Sequence, residues 1–302
     1  MSTHKYLHDN RNDQILIYIN GEILPREKAK ISVFDSGFLL GDGVWEGIRF
    51  HNGHLVFIQE HIDRLFDGAS SLDIDIGISK DRIKSLIISV LDANRMVTDI
   101  HIRLIVSRGL KKTPYQHPNA NEGGPSIVVI PEYKKADKTI NKKGISLATV
   151  SARRGTAETQ DPRLNTLSKL NCIFACIEAD KKGADEGLMK DVNGNVSTCN
   201  STNFFIIREK EVWTSTGEYC LPGVTRGTII QLCKENNIPI FEKNFSVDDV
   251  IKSDEAFVTG TFAGVIPAVN IDGKMIGDGK RGLVTKTLFN LYKNKIETLY
   301  PS

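Results

Sequence analysis

The 302-residue sequence lacks long apolar segments, a clear excess of charge and an even set of cysteines. Because no segment reaches the ~18 apolar residues that cross a bilayer, and because residues 1–14 are mostly polar, we expect neither a membrane span nor a signal peptide. The 39 basic and 37 acidic side chains leave a net charge of +2, which favours neither nucleic acid nor a membrane surface as a partner. Five scattered cysteines fit a reducing compartment, so we predict a cytoplasmic protein.

Metal ligands at metal-site spacing are also missing, as are the glycine-rich phosphate loops of P-loop and Rossmann proteins. Cys172 and Cys176 lie one helical turn apart, but no second pair of ligands follows them. We therefore predict no metal site, and we interpret both cysteines as small core residues.

The order of the predicted elements is that of an α+β protein. Asn20-Gly21 and Asn52-Gly53 predict hairpin turns. Apolar residues at helical spacing predict helices over residues 58–70, 79–91, 169–183 (with Leu170, Ile173, Phe174 and Ile177), 225–236 and from 283 onwards. The polar, lysine-rich segment 132–144 lacks periodicity, so it predicts a linker between a domain of residues 1–131 and one of residues 145–302.

Three places have the chemistry to hold an anion. Thr225 is predicted as the N-cap of a helix, where free backbone N–H groups and the positive end of the helix dipole suit a phosphate. The segment Thr259–Gly264 predicts a glycine-broken turn with two hydroxyl groups after a strand. Arg64 offers a guanidinium fork that matches phosphate oxygens. When it stands alone, each feature is more typical of an ordinary cap, turn or surface arginine than of an anion site.

Together, four segments resemble the fold-type-IV pyridoxal-phosphate enzymes, which include branched-chain aminotransferases, D-amino-acid aminotransferases and aminodeoxychorismate lyases. The segments are Gly41–Arg49, Glu60–Leu65, Leu221–Arg226 and Gly260-Thr261. The resemblance runs from about residue 17 to the last helix. It implies a small α/β sandwich domain, a larger pseudo-barrel domain and a homodimer or larger homo-oligomer. It further implies that pyridoxal 5′-phosphate is the cofactor, held at the phosphate by Arg64, Val224, Thr225, Gly260 and Thr261.

Two residues depart from the pattern that the resemblance leads us to expect. Asn165 stands where the family has its Schiff-base lysine, and an asparagine cannot form that bond. Thr198 stands where the family has a glutamate that keeps the pyridine nitrogen protonated; a hydroxyl can donate to a neutral nitrogen but cannot hold it charged. Lys169 falls where branched-chain aminotransferases have a tyrosine near the cofactor. We predict that Lys169 takes over as the catalytic lysine, reaching the cofactor from one helical turn along. The alternative is that Lys169 is a solvated residue near the start of a helix.

The resemblance also implies substrate contacts for Glu46, Arg49, Arg103 and Phe262. Pairing of Glu46 with an arginine is the alternative for that residue. Asp185 and Glu186 are interpreted as surface charges.

The predicted function is an aminotransferase that moves an amino group between an amino acid, of the branched-chain type by resemblance, and a 2-oxo acid. Two alternatives stay open. One is an enzyme of the aminodeoxychorismate-lyase type on the same scaffold. The other is a catalytically silent homologue that binds a phosphorylated ligand, which is what the loss of both the lysine and the glutamate would produce.

Overall fold

The computed structural model describes residues 9–135 and 139–301, and its contacts divide the chain into two compact units. The N-terminal unit consists of residues 9–135, 164–169 and 300–301, and the C-terminal unit of residues 139–163 and 170–299. Residues 1–8 of the polar N-terminus and residues 136–138 of the predicted linker lie outside the described residues.

The segment 164–169 belongs to the N-terminal unit, whereas the sequence places it in the domain of residues 145–302. Its backbone runs beside the strand Gly43–His51, where Trp45 N–H donates to the Asn165 carbonyl and Leu167 N–H donates to the Gly43 carbonyl. These hydrogen bonds between residues far apart in the chain attach the segment to the N-terminal unit.

The N-terminal unit is built on one antiparallel sheet with the order β2-β1-β8-β5-β3-β4. Its elements, besides the 3-10 turns Asn10–Gln14 and Pro118–Ala120, are β1 (Leu16–Ile19), β2 (Glu22–Pro25), α1 (Ser36–Leu40), β3 (Gly43–His51), β4 (His54–Val56), α2 (Ile58–Ser71), α3 (Lys80–Ala93), β5 (Ile100–Ser107), β6 (Leu110–Lys111), β7 (Asn121–Glu122) and β8 (Ser126–Tyr133). The two predicted hairpins are present, with Gly21 and Gly53 in the left-handed region at their turns.

The two faces of β3 differ in burial, which positions the side chains discussed below. Val44, Ile48 and Phe50 point into a core shared with α2 and α3, and Glu46 lies on the same face because strand residues alternate with a period of two. Trp45 and Arg49 lie on the opposite, half-buried face.

The C-terminal unit contains a nine-stranded sheet with the order β11-β10-β9-β16-β15-β12-β13-β14, and β17 pairs with β16. Its elements are α4 (Ile140–Lys143), β9 (Ile145–Arg154), α5 (Ala157–Gln160), α6 (Leu170–Lys181), β10 (Glu186–Asp191), β11 (Val196–Cys199), β12 (Asn203–Arg208), β13 (Glu211–Thr214), α7 (Val224–Glu235), β14 (Ile240–Glu242), α8 (Val247–Ile251), β15 (Glu255–Gly260), β16 (Gly264–Ile271), β17 (Lys274–Met275) and α9 (Leu283–Leu299). Most neighbouring strands are antiparallel, but β9 is parallel to both β10 and β16, and β13 is parallel to β14.

Helix α6 turns its small residues, not its large ones, towards the sheet. Ala175 and Ala179 are buried, and the backbone of Gly187 on β10 approaches the Ala175 carbonyl so closely that a Cβ would lie only 2.8 Å from that oxygen. The large apolar residues are 45–58 % exposed, namely Leu170, Ile173, Phe174 and Ile177. Cys176 is exposed and Cys172 half-buried, so the interpretation of both as core residues was wrong. Among the described residues, none of the helices is long and apolar enough to cross a membrane.

Candidate functional site

Asn165, at the position of the expected lysine, is tied to Trp45 and to Lys169. Its side-chain Nδ2 donates to the Trp45 backbone carbonyl at 2.6 Å, and its backbone carbonyl accepts the Trp45 backbone N–H at 3.0 Å. Lys169 Nζ donates to Asn165 Oδ1 at 3.0 Å and lies 5.4 Å from the centre of the Trp45 ring. The amine of Lys169 is therefore held beside the side chain that replaces the expected lysine.

The reason for this proximity differs from the predicted helical turn. Helix α6 begins only at Leu170, and residues 165–168 are extended or bent, with Thr166 bridging to Val44 of β3. A fully extended run of four residues would span ~13 Å. The chain bends after Thr166, which lets the Lys169 stem turn back to Asn165.

Arg103 lies against the other side chain of this cluster, Trp45. Its guanidinium carbon is 3.7 Å from the centre of the indole ring, a cation–π contact. Arg103 pairs with Gly47 across the β3–β5 ladder, so it shares a sheet face with Trp45 and Arg49. Burial lowers the pKa of Arg103, although the nearby carboxylates of Glu132 and Glu46 oppose this shift. Two of the predicted substrate residues, Arg49 and Arg103, are thus on the same face as the Lys169 contact.

Glu46 lies on the opposite face, so the structure separates it from Arg49 and Arg103. Its carboxylate accepts hydrogen bonds from Arg64 Nε at 2.8 Å and from Arg64 Nη2 at 2.7 Å, and His61 Nδ1 lies 2.7 Å from Oε2. The structure thus shows the pairing of Glu46 with an arginine, which is the alternative to the predicted substrate contact. Burial raises the pKa of Glu46, but the hydrogen bonds from His61 and Arg64 outweigh it, and the net pKa lies below the usual range.

Helix α7 presents the first candidate phosphate-binding element of the C-terminal unit. Its N-cap is Gly223, one residue before Val224, so Thr225 lies inside the first turn and its prediction as the N-cap was wrong. Since glycine has no side chain, the first-turn N–H groups receive no side-chain cap from it. Asn203 Nδ2 donates to the Leu221 carbonyl and its Oδ1 lies against Gly223, which fixes the turn that enters the helix.

The β15–β16 hairpin presents the second element. Gly260 pairs with Gly264, and Thr261 and Phe262 lie in the three-residue loop between them, half-buried. Thr259, one residue earlier, has a buried Oγ1 with no hydrogen-bond partner among the described residues. Because Thr259 also pairs with Asn203 on β12, the hairpin and the entry to α7 meet at that asparagine.

Thr198 is buried, and its hydroxyl group already donates a hydrogen bond within the C-terminal unit. Thr198 Oγ1 donates to the Thr202 carbonyl at 2.7 Å, so the predicted donation to a neutral pyridine nitrogen would require breaking that bond. Thr202 Oγ1 in turn donates to Glu186 Oε2 at 2.6 Å. Glu186 is 1 % exposed, so its interpretation as a surface charge was wrong.

Three contact residues had not been singled out from the sequence: Trp45, His61 and Asn203. Trp45 and His61 lie inside segments that carry the family resemblance, so their position in the sequence could have marked them as candidates. Asn203 begins β12, and only its pairing with Thr259 shows that it connects the two candidate phosphate-binding elements.

Comparison with known proteins identifies the family. Residues 43–271 match the family of class IV amino-transferases, which is well over half of the chain. The chain therefore belongs to the class IV aminotransferases.

Relatives and solved structures agree with this assignment. The chain is 40 % identical over 286 residues to branched-chain-amino-acid aminotransferase-like protein 1 of Arabidopsis thaliana, covering 95 % of this chain and 51 % of that protein. It covers 50 % of the second Arabidopsis protein of that kind, so the chain spans about half the length of these relatives. The solved branched-chain amino acid aminotransferase of Escherichia coli is 27 % identical, with a TM-score of 0.86 over 92 % of this chain and 95 % of that one. The solved branched-chain aminotransferase of Thermoproteus uzoniensis with norvaline is 26 % identical, with a TM-score of 0.85 over 95 % of this chain and 97 % of that one.

These similarities confirm the predicted fold class, a small α+β domain with a larger pseudo-barrel domain. The cofactor of the family is pyridoxal 5′-phosphate, as predicted, and one similar branched-chain amino acid aminotransferase was solved with pyridoxamine 5′-phosphate. Two features of the C-terminal unit suit a phosphate: the first turn of α7 lacks a side-chain cap, and the buried Thr259 hydroxyl beside Gly260 lacks a partner among the described residues.

Proposed function

We propose that this chain is an aminotransferase that binds pyridoxal 5′-phosphate and uses Lys169 as its catalytic lysine. It would move an amino group between an amino acid and a 2-oxo acid. The single observation that carries the proposal is the 3.0 Å hydrogen bond from Lys169 Nζ to Asn165 Oδ1. It supports the idea that the amine lost at position 165 is supplied from position 169.

The phosphate would be held by Arg64, by the backbone N–H groups of Val224 and Thr225, and by the Gly260-Thr261 hairpin. Support comes from the first turn of α7, where the N-cap is a glycine, and from the Thr259 hydroxyl next to Gly260, which has no partner in the described part of the chain. When bound, the cofactor supplies an aldehyde for the amino group and a conjugated ring that accepts electrons. Thr198 can tune that ring only weakly, because its hydroxyl hydrogen is bonded to the Thr202 carbonyl.

Lys169 has to release a proton before its nitrogen can act as a nucleophile or as a base. Asn165 Oδ1 accepts one N–H of the amine and fixes its direction, while Asn165 itself is fixed by Trp45. Arg103, with its guanidinium packed on the same ring, would bind a substrate carboxylate through its fork. Arg49 on the same face and Phe262 in the hairpin loop would line the substrate.

Reductive trapping tests the lysine. The protein is loaded with pyridoxal 5′-phosphate, treated with borohydride, digested and mapped by mass spectrometry. We expect the pyridoxyl label on Lys169, and Lys169→Ala should abolish it. Lys111→Ala is the matched control, since Lys111 is a buried lysine of the same unit whose Nζ donates to Asn121. The double variant Asn165→Lys/Lys169→Ala should move the label to position 165.

A label on any other lysine would overturn the assignment. No label, together with binding of the phosphorylated cofactor, would instead favour a silent homologue that binds a phosphorylated ligand. Turnover that depends on an added 2-oxo acid separates an aminotransferase from the lyase alternative. A panel of 2-oxo acids, with the branched-chain ones first because of the Arabidopsis and Escherichia coli relatives, addresses the substrate.

The homodimer and the cytoplasmic location are parts of the same proposal. The exposed apolar face of α6 supports a second copy as the partner. Phe174→Glu should then lower the mass measured by light scattering, whereas Val97→Glu, at an exposed valine of the other unit, should not. Five cysteines without a disulfide support a reducing compartment.

A further inference from the structure

Arg64 is the outer member of a buried charge network. Glu46 is 0 % and His61 1 % exposed, whereas the Arg64 side chain is 15 % exposed. The Glu46 carboxylate accepts from Nε and Nη2 of Arg64, the two-point fork geometry that fixes the plane of a guanidinium.

His61 fixes the carboxylate in turn. Its Nδ1 lies 2.7 Å from Glu46 Oε2, and because the Glu46 pKa is lowered, the carboxylate is ionised and Nδ1 carries the proton that it donates. His61 Nε2 is buried without a hydrogen-bond partner among the described residues. The polar contact of the imidazole in this network is therefore the one with Glu46.

Buried ion pairs are a poor route to stability, because the cost of removing two charges from water offsets their attraction. A fixed orientation of the exposed member is a better reason for such a network. The chain of contacts runs from His61 through Glu46 to Arg64, and each step fixes the next side chain.

We infer that Glu46, supported by His61, is a positioning residue that orients Arg64 towards the phosphate of the bound ligand. The inference rests on the proposed function, because that function supplies the phosphate. It gives Glu46 a role different from a substrate contact. Glu46 touches neither substrate nor cofactor; its effect on binding passes through Arg64, so it should affect phosphorylated ligands alone.

The test compares pyridoxine 5′-phosphate with pyridoxine. Neither has an aldehyde, so the result does not depend on Lys169. The dissociation constants are measured by calorimetry for the wild type, Glu46→Gln and Glu46→Asp. Glu46→Asp keeps the charge and shortens the side chain, which displaces the guanidinium. Both variants should bind pyridoxine 5′-phosphate about tenfold more weakly, the loss of roughly one charge-assisted hydrogen bond. Binding of pyridoxine should change less than about twofold, because pyridoxine has no phosphate for Arg64 to contact.

Asp42→Asn is the matched control. It breaks another half-buried ion pair of the same unit, that of Asp42 with Arg108. It should leave the ratio of the two dissociation constants as in the wild type. His61→Gln should act in the same direction as the Glu46 variants but less strongly, and it remains measurable if Glu46→Gln fails to fold.

Each outcome has one meaning. If the wild type binds pyridoxine 5′-phosphate no better than pyridoxine, the proposed cofactor site is wrong. If the wild type prefers the phosphorylated ligand and Glu46→Asp keeps that preference, the cofactor site stands and the positioning role is wrong. Equal weakening of both ligands by Glu46→Asp would also contradict it, because a general structural defect does not distinguish the phosphate.

Discussion

The hydrogen bond between Lys169 and Asn165 can be measured without any ligand, by a double-mutant cycle. The variants are Asn165→Ala, Lys169→Met and the combination of both. Methionine keeps most of the apolar stem of the lysine and removes the ammonium group. The cycle cancels effects that belong to one residue alone and leaves the energy of their interaction.

The structure sets the expected magnitudes. Asn165→Ala removes the 2.6 Å bond to the Trp45 carbonyl as well as the acceptor of Lys169, so we expect it to lower the free energy of unfolding by about 2–4 kcal/mol. A hydrogen bond to a charged group contributes about 1.5–3 kcal/mol when buried. Lys169 is half-buried and water competes for its amine, so the coupling energy should be about 1 kcal/mol.

Trp45 is the reporter for the assay. It contacts both residues, and Trp213→Phe removes the tryptophan of the other unit, so urea unfolding followed by fluorescence reports the N-terminal unit. A control cycle of Asn165→Ala with Lys80→Met should be additive, because Lys80 pairs with Asp63 instead. A coupling energy below about 0.3 kcal/mol for Asn165 and Lys169 would refute the contact on which the proposed function depends.

Three further predictions concern other parts of the molecule. Hydrogen bonds from Ser151 and Lys182 lower the pKa of Glu178 to about 2, so its stabilising contribution, present above pH 4.5, should be lost as the pH falls towards 2. Carbon NMR of the carboxyl group checks this, and Ser151→Ala should raise the midpoint. Burial raises the pKa of Cys233 to about 12, whereas Cys176 is exposed, so iodoacetamide should alkylate Cys176 in the native protein and Cys233 only after unfolding; equal rates in peptide maps would contradict this. Gly223→Ala places a methyl group against Asn203 Oδ1 and should cost about 1–3 kcal/mol in urea unfolding, while Gly227→Ala, with open space around it, should not destabilise.

Elements with a local cause were predictable from the sequence. Asn20-Gly21 and Asn52-Gly53 favour left-handed backbone conformations, and both form hairpin turns. The amphipathic pattern of residues 58–70 predicted α2, which runs over Ile58–Ser71, because one apolar face against a sheet is enough to specify a helix.

Features that depend on distant partners were not predictable in the same way. The apolar spacing of α6 predicted a helix correctly, but the large residues face outwards because Gly187 leaves room only for the alanine face. Glu186 looked like a surface charge, since nothing in its neighbourhood reveals that Thr202, 16 residues later, donates to it. Helical spacing predicted that Lys169 reaches the cofactor from one turn along, but its 3.0 Å contact with Asn165 depends on the bent path of residues 165–168 beside β3, before α6 begins.

The choice of asparagine at position 165 follows from what the position has to satisfy. It lies between a backbone carbonyl of Trp45, which needs a donor, and the ammonium group of Lys169, which needs an acceptor. An amide offers both at once. A lysine there would place two ammonium groups beside each other and remove the Asn165 acceptor from Lys169, and an aspartate would turn a negative oxygen towards the Trp45 carbonyl. The amide at 165 and the amine at 169 therefore complement each other, which supports the proposal that Lys169 supplies the catalytic amine.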